Sequence, residues 1–171
     1  PLRPVHLGRA QQVRGLLAIV VSPDRGCCCG SRQRCALPMM PHMQIGTVLI
    51  TGGSRGIGAA CARLSARDGW DVAINYTRDT AAAERIAREV RALGRRAIHV
   101  QADVADEPAV LAMLARIDAE LGVLTGLVNN AGVIDEQVRV DSISVARLQR
   151  IFAINVFGSF VCAREALKRM S

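Results

Sequence analysis

The sequence predicts an α/β fold built on a doubly wound parallel sheet, and three observations predict it. Short apolar runs rich in β-branched residues alternate four times with segments whose apolar residues recur at helical spacing. The first run, Val48-Leu49-Ile50, passes through Thr51-Gly52-Gly53-Ser54-Arg55-Gly56-Ile57-Gly58 directly into a helical pattern. Each of the first three helical patterns then closes on a glycine, at Gly69, Gly94 and Gly122. Buried strands joined through helices of this length form right-handed βαβ units and hence a parallel sheet.

Composition bounds the answer. Half of the 171 residues are apolar, which suits one domain, and aromatics make up only 3%, so the core is expected to be aliphatic. Residues 1–42 hold six Arg against the single acid Asp24, which is +5 of the formal +7. The remaining 129 residues carry sixteen basic and fourteen acidic side chains, so a nucleic-acid partner is not expected of them. Six cysteines occur, without a Cys-x-x-Cys pair or a histidine at zinc spacing, and no metal site is expected. Adjacent Cys27-Cys28-Cys29 are poor disulfide partners for one another, and Cys61 and Cys162 read as buried thiols. A reducing, cytoplasmic setting follows from that usage.

In chain order, residues 1–42 are expected to form a disordered or non-native N-terminal extension. Their apolar run Leu16-Leu17-Ala18-Ile19-Val20-Val21 has six residues, against roughly 7–15 for a signal core and roughly 20 for a membrane span. No membrane role is expected. Met43 makes a natural beginning, and residues 43–171 form the expected folded domain. The first helix, about 56–68, places Ile57, Ala60, Cys61 and Leu64 on one face. A second strand is expected at 71–75, and a second helix at 80–93 with Ala83, Ile86, Ala87 and Val90 inward. The third strand spans 97–100. Asp106 can cap a third helix containing Pro108, with Val110, Leu114, Ile117 and Leu121 inward, and the fourth strand spans 126–129. Ser144 then caps a long helix towards Met170. Its residues Ile151, Phe152, Ile154, Val156, Phe157, Phe160 and Val161 leave it apolar on nearly every side, so it needs cover from two directions.

The glycine turn carries the first functional signal. Glycine lets the backbone approach phosphate oxygens, and the free N–H groups at the start of the following helix face the anion. The spacing is Gly-x-x-x-Gly-x-Gly, at Gly52, Gly56 and Gly58. A nucleoside-triphosphatase loop is excluded, because Ala59-Ala60 stand where Lys-Ser/Thr is required after Gly53-x-x-x-x-Gly58.

Four motifs in order resemble the N-terminal half of a short-chain dehydrogenase/reductase, over residues 47–171. They are Thr51-Gly52-x-x-x-Gly56-x-Gly58, Asp103-Val104 after the third strand, Asn129-Asn130-Ala131-Gly132 ending the fourth, and Asn155 in the long helix. In wording the segments are similar to bacterial β-ketoacyl-carrier-protein reductases and glucose 1-dehydrogenases. The resemblance implies a Rossmann-type sheet, here truncated after the fourth strand and its long helix, with one sheet edge bare. It implies cofactor contacts from Thr51, Gly52, Ser54, Arg55, Gly56, Ile57 and Gly58, with adenine beside Asp103 and Val104. Asn130, Ala131 and Gly132 are implied along the ribose and nicotinamide, and Asn155 in a catalytic relay. A small-molecule carbonyl or alcohol substrate is implied, as is a homodimer or homotetramer joined through the long helix.

Cofactor choice has a physical argument. An NAD enzyme places an acid at the end of the second strand for the ribose 2′-OH. Here that position reads Asn75-Tyr76-Thr77-Arg78, while Asp71 lies at the strand's opposite end. Arg55 in the turn and Arg78 beyond the strand suit a 2′-phosphate, so NADP(H) is expected over NAD(H).

The family's chemistry is a hydride transfer between nicotinamide and substrate. It uses a Tyr as acid/base, a Lys four residues on, and a Ser. The one Tyr here is Tyr76, with Thr80 four residues on, and the one Lys is Lys168. Two expectations follow: a fragment of an NADP-dependent oxidoreductase, or a non-catalytic half-domain that binds nucleotide or a partner.

Overall fold

The computed structural model describes residues 17–20, 45–134 and 136–170. The cysteine triplet, Cys35, His6, His42, Met43 and the arginines of residues 1–42 lie outside the described residues, as does most of the extension that contains them. Four strands follow the predicted alternation: β2 (Thr47–Ile50), β3 (Asp71–Tyr76), β4 (Ala97–Gln101) and β5 (Leu124–Asn129). Between them lie α1 (Gly56–Arg67), α2 (Thr80–Ala92) and α3 (Glu107–Leu121). The four strands are mutually parallel in the order β5-β2-β3-β4.

One edge differs from expectation. β1 (Leu17–Val20), inside the segment expected to be without structure, runs antiparallel to β5, with Leu17 opposite Asn129 and Val20 opposite Gly126. The edge expected to be bare therefore has a backbone partner. An open strand edge presents a row of unpaired N–H and C=O groups, and a short β-branched run satisfies them.

Strand alternation divides the core. Val48, Ile50, Val72 and Ile74 pack on one side with Ala59, Ala62 and Ala66 of α1 and Ile86 and Val90 of α2. Leu49, Ala73, Ile98 and Val100 face the other side, with Leu114 and Ile117 of α3 and Cys162 and Ala166 of the last helix. The inward residues expected of the second and third helices are all buried.

The first helix is rotated from its predicted setting. Ile57 and Leu64 are exposed and Cys61 is half-buried, while Gly58, Ala59, Ala62 and Ala66 meet the sheet. Small side chains let this helix sit close to the strands, and its larger ones turn outward. Asp106 occupies the N-cap of α3 but its carboxylate makes no cap hydrogen bond, and Pro108 lies in the first turn.

The long helix is interrupted. A 3₁₀ turn (Val140–Ser142) precedes α4 (Val145–Phe152), and Ser144 Oγ accepts the Arg147 N–H at 3.2 Å as the expected cap. A π-helical segment, Ala153–Gly158, then leads into α5 (Ser159–Met170). Wide turns of this kind collect at functional sites, and this one contains Asn155. Phe152, Phe157 and Phe160 are exposed, as expected of a helix with a second uncovered side. The 26 residues Val145–Met170 are long and apolar enough to cross a membrane by length and composition alone. Their inner side, at Gly158, Cys162, Glu165 and Ala166, is buried against the domain.

Candidate functional site

The carboxyl ends of β2, β3, β4 and β5 open onto one cleft of about 670 Å³. Its wall contains Gly52, Ser54, Arg55, Gly56 and Ile57 from the turn after β2, and Asn75, Tyr76, Thr77 and Arg78 from the end of β3. Asp103 and Val104 after β4, and Asn130, Ala131 and Gly132 after β5, line it as well. Ligands of open α/β sheets bind at this end, where the direction of winding reverses.

The glycines of the turn serve two different needs. Gly52 and Gly56 have φ of 63° and 54°, in the left-handed region that side chains resist. Gly58 is needed for space: a Cβ there would lie 2.5 Å from both Asn130 Nδ2 and the Gly52 carbonyl oxygen. Arg55 stands at the N-cap of α1 without a side-chain cap bond, and the first helical residues, Gly56 and Ile57, line the cleft.

Thr51 is fully buried and braces the turn against the end of β5. Its Oγ1 donates to the Val128 carbonyl at 3.3 Å and accepts the N–H groups of Asn130 and Ala131 at 2.9 and 3.0 Å. Asn130 Nδ2 returns the contact, donating to the carbonyls of Thr51 and Gly52 at 2.9 and 3.0 Å. Asn129 Nδ2 donates to the Ser159 carbonyl at 3.0 Å, which ties β5 to the long helix. Asn155 holds the loop after β5 from both sides: its Oδ1 accepts Val133 N–H at 2.8 Å and its Nδ2 donates to Val133 O at 2.9 Å.

The charges of the cleft are unequal in their freedom. Asp79 Oδ1 accepts the Ala82 N–H at 2.8 Å as the cap of α2, and Asp103 Oδ1 accepts the Ala105 N–H at 2.9 Å. Arg55 and Arg78 make no side-chain hydrogen bond or ion pair among the described residues. Behind the sheet, burial pushes the Cys162 thiol up to about 11, so it acts as an apolar side chain.

Comparison with known proteins decides the family: the short chain dehydrogenase family model matches residues 46–171. The chain belongs to the short-chain dehydrogenases. The uncharacterized oxidoreductase YgfF of Escherichia coli (strain K12) is 44% identical over 123 residues, which are 72% of this chain and 50% of that protein. The L-rhamnose 1-dehydrogenase (NAD(P)(+)) of Sphingomonas sp. (strain SKA58) is 37% identical over 72% of this chain and 48% of its own length. Among solved structures, a short chain dehydrogenase from Burkholderia cenocepacia J2315 in complex with NADP superposes with a TM-score of 0.72. It is 38% identical over 77% of this chain and 53% of that one. The chain spans about half the length of the curated relatives it matches.

Within this oxidoreductase family, the structure gathers the predicted residues at one end of the sheet but divides their labour. Thr51, Gly58 and Asn155 are absent from the cleft wall: Thr51 and Asn155 brace the loops behind it, and Gly58 leaves the space that the Asn130 amide and the Gly52 carbonyl occupy. Asp79, Val133, Arg150 and Ile154 also line the short-chain dehydrogenase cleft and were missed. Arg150 and Ile154 lie four residues apart, one helical turn, on the helix that carries Asn155, and that spacing was the available signal.

Proposed function

We propose that this chain supplies the NADP(H)-binding half of an oxidoreductase acting on the carbonyl or secondary alcohol of a small molecule. The observation that carries the cofactor choice is the pair of guanidinium groups of Arg55 and Arg78, unpaired among the described residues, on the cleft wall beside a strand end without an acid. A planar guanidinium pairs with a 2′-phosphate, whereas a 2′-hydroxyl gains its best partner from a carboxylate. The Burkholderia relative in complex with NADP supports the reading, and the Sphingomonas dehydrogenase, named for NAD(P)(+), supports a nicotinamide cofactor of either kind.

The residues present fit a dinucleotide. The glycine turn and the first N–H groups of α1 suit the pyrophosphate, Asp103 and Val104 the adenine, and Asn130, Ala131 and Gly132 the nicotinamide side. When bound, the nicotinamide supplies or accepts the hydride. The chain's own part is to bind and orient. Tyr76, the one tyrosine, is buried beside His99, and Lys168, the one lysine, donates to Glu165 Oε1 at 2.7 Å on α5. The reading therefore assigns proton transfer to a Tyr-x-x-x-Lys pair and a Ser outside these 171 residues, with Asn155 as a brace for that half. The uncovered aromatic side of the long helix, at Phe152, Phe157 and Phe160, is assigned to a second copy. Free thiols at Cys61 and Cys162 are in keeping with a reducing compartment.

Replacing Arg55 or Arg78 by Ala is expected to weaken NADPH binding about tenfold each, roughly 1.4 kcal/mol, and to leave NADH binding unchanged. Fluorescence titration of each variant checks this. Equal losses for both cofactors would remove the 2′-phosphate assignment.

A further inference from the structure

Asn75 stands at the position next to the end of β3, where an acid is sought in an NAD enzyme, yet its side chain is engaged elsewhere. The residue is 1% exposed, and both ends of its carboxamide are used. Oδ1 accepts the Gly52 N–H at 3.2 Å, and Nδ2 donates to the Ala102 carbonyl at 2.9 Å. Its main-chain carbonyl separately accepts the Gly53 N–H at 2.8 Å.

These partners belong to the two halves of the cleft. Gly52 opens the glycine turn after β2, and Ala102 leads into Asp103 and Val104 after β4. β3 lies between β2 and β4 in the sheet, so this buried amide joins the two segments across it, beside the main-chain bonds from Gly53 N–H to Asn75 O and from Ala102 N–H to Tyr76 O. Only an amide fits both ends. A carboxylate keeps the acceptor for Gly52 but sets oxygen against oxygen at Ala102, and an apolar side chain loses both bonds.

We propose that Asn75 is a positioning residue that locks the glycine turn to the Asp103–Val104 loop and does not read the ribose. The inference rests on the dinucleotide reading above and deepens it. The obvious switch, Asn75→Asp, accordingly does not turn the site towards NADH. It lowers the affinity for NADPH and NADH together, by about tenfold, and leaves their ratio where it was.

The test uses the whole 171-residue chain, residue-resolved amide exchange, and titration with NADPH and with NADH. In Asn75→Leu the Gly52 amide, bonded to the lost side chain, exchanges faster. The Gly53 amide, bonded to the main chain of residue 75, keeps its protection. In Asn75→Asp the Gly52 amide stays protected while both affinities fall. If Asn75→Leu loses the protection of the buried β2 and β3 amides and so fails to fold, Asn75→Asp decides alone. A rise in NADH affinity relative to NADPH in either folded variant, or unchanged affinity for both, overturns the proposal. Should the unmodified chain bind neither cofactor, the dinucleotide reading fails. The Gly52 and Gly53 exchange rates then still report whether Asn75 holds the turn.

Discussion

Gly56 and Gly58 are two residues apart and are glycine for unrelated reasons, which makes them a sharp test at the residue scale. A methyl group at Gly56 meets nothing within 4 Å, and the cost is confined to a φ of 54°. At Gly58 the backbone is helical, but the methyl would meet the Gly52 carbonyl and the Asn130 amide at 2.5 Å. Gly56→Ala is expected to cost about 1 kcal/mol, and Gly58→Ala about 3 kcal/mol because backbone has to move. Urea denaturation of both variants measures the difference; equal costs would contradict it. The glycine spacing was legible in the sequence, but this division was not. Periodicity reports which residues recur, not what lies opposite them. The same holds for Thr51 and Asn75, whose partners are 77–80 and 23–27 residues away.

Elements were legible where one face is plainly apolar. Ala83, Ile86, Ala87 and Val90 fix the setting of α2, and Val110, Leu114, Ile117 and Leu121 that of α3. In α1 the pattern misleads, because close approach to the sheet selects alanines and leaves Ile57 and Leu64 outside. The π-helical segment Ala153–Gly158 has no mark in hydrophobic spacing, since it arises where the helix is held from outside, at Asn129–Ser159 and Asn155–Val133. Farther along, buried Glu165 collects Lys168 and Arg164, and Arg169 reaches Asp118 of α3 at 2.7 Å. The Lys168 hydrogen bond, ahead of the one from Arg164, holds the Glu165 carboxyl below its usual range. A depressed carboxyl contributes stability in full above its unfolded pKa of about 4.3, and loses it as pH falls through the lower folded value. Thermal midpoints are therefore expected to fall more steeply below about pH 4.3 in the parent chain than in Glu165→Gln. Identical pH dependence in the two proteins would show that this cluster does not stabilise the fold.

The described residues form a four-stranded parallel sheet covered on both faces, with β1 added antiparallel at the β5 edge. Strand alternation and connecting helices made the parallel part readable in advance. β1 was not readable, because its partner is more than 100 residues away and its apolar run carries no turn signal towards β5. The arrangement converges on one end of the sheet, where Arg55 and Arg78 stand unpaired among the described residues beside a strand end without an acid. The function proposed for this end of the sheet is selective recognition of a 2′-phosphate. Its most direct measurement is calorimetric titration of the unmodified 171-residue chain with NADPH and with NADH at one ionic strength. The dissociation constant for NADPH is expected to be at least about tenfold lower than that for NADH, a difference of roughly 1.4 kcal/mol that shrinks as salt is raised. Equal affinities, or tighter binding of NADH, would contradict it.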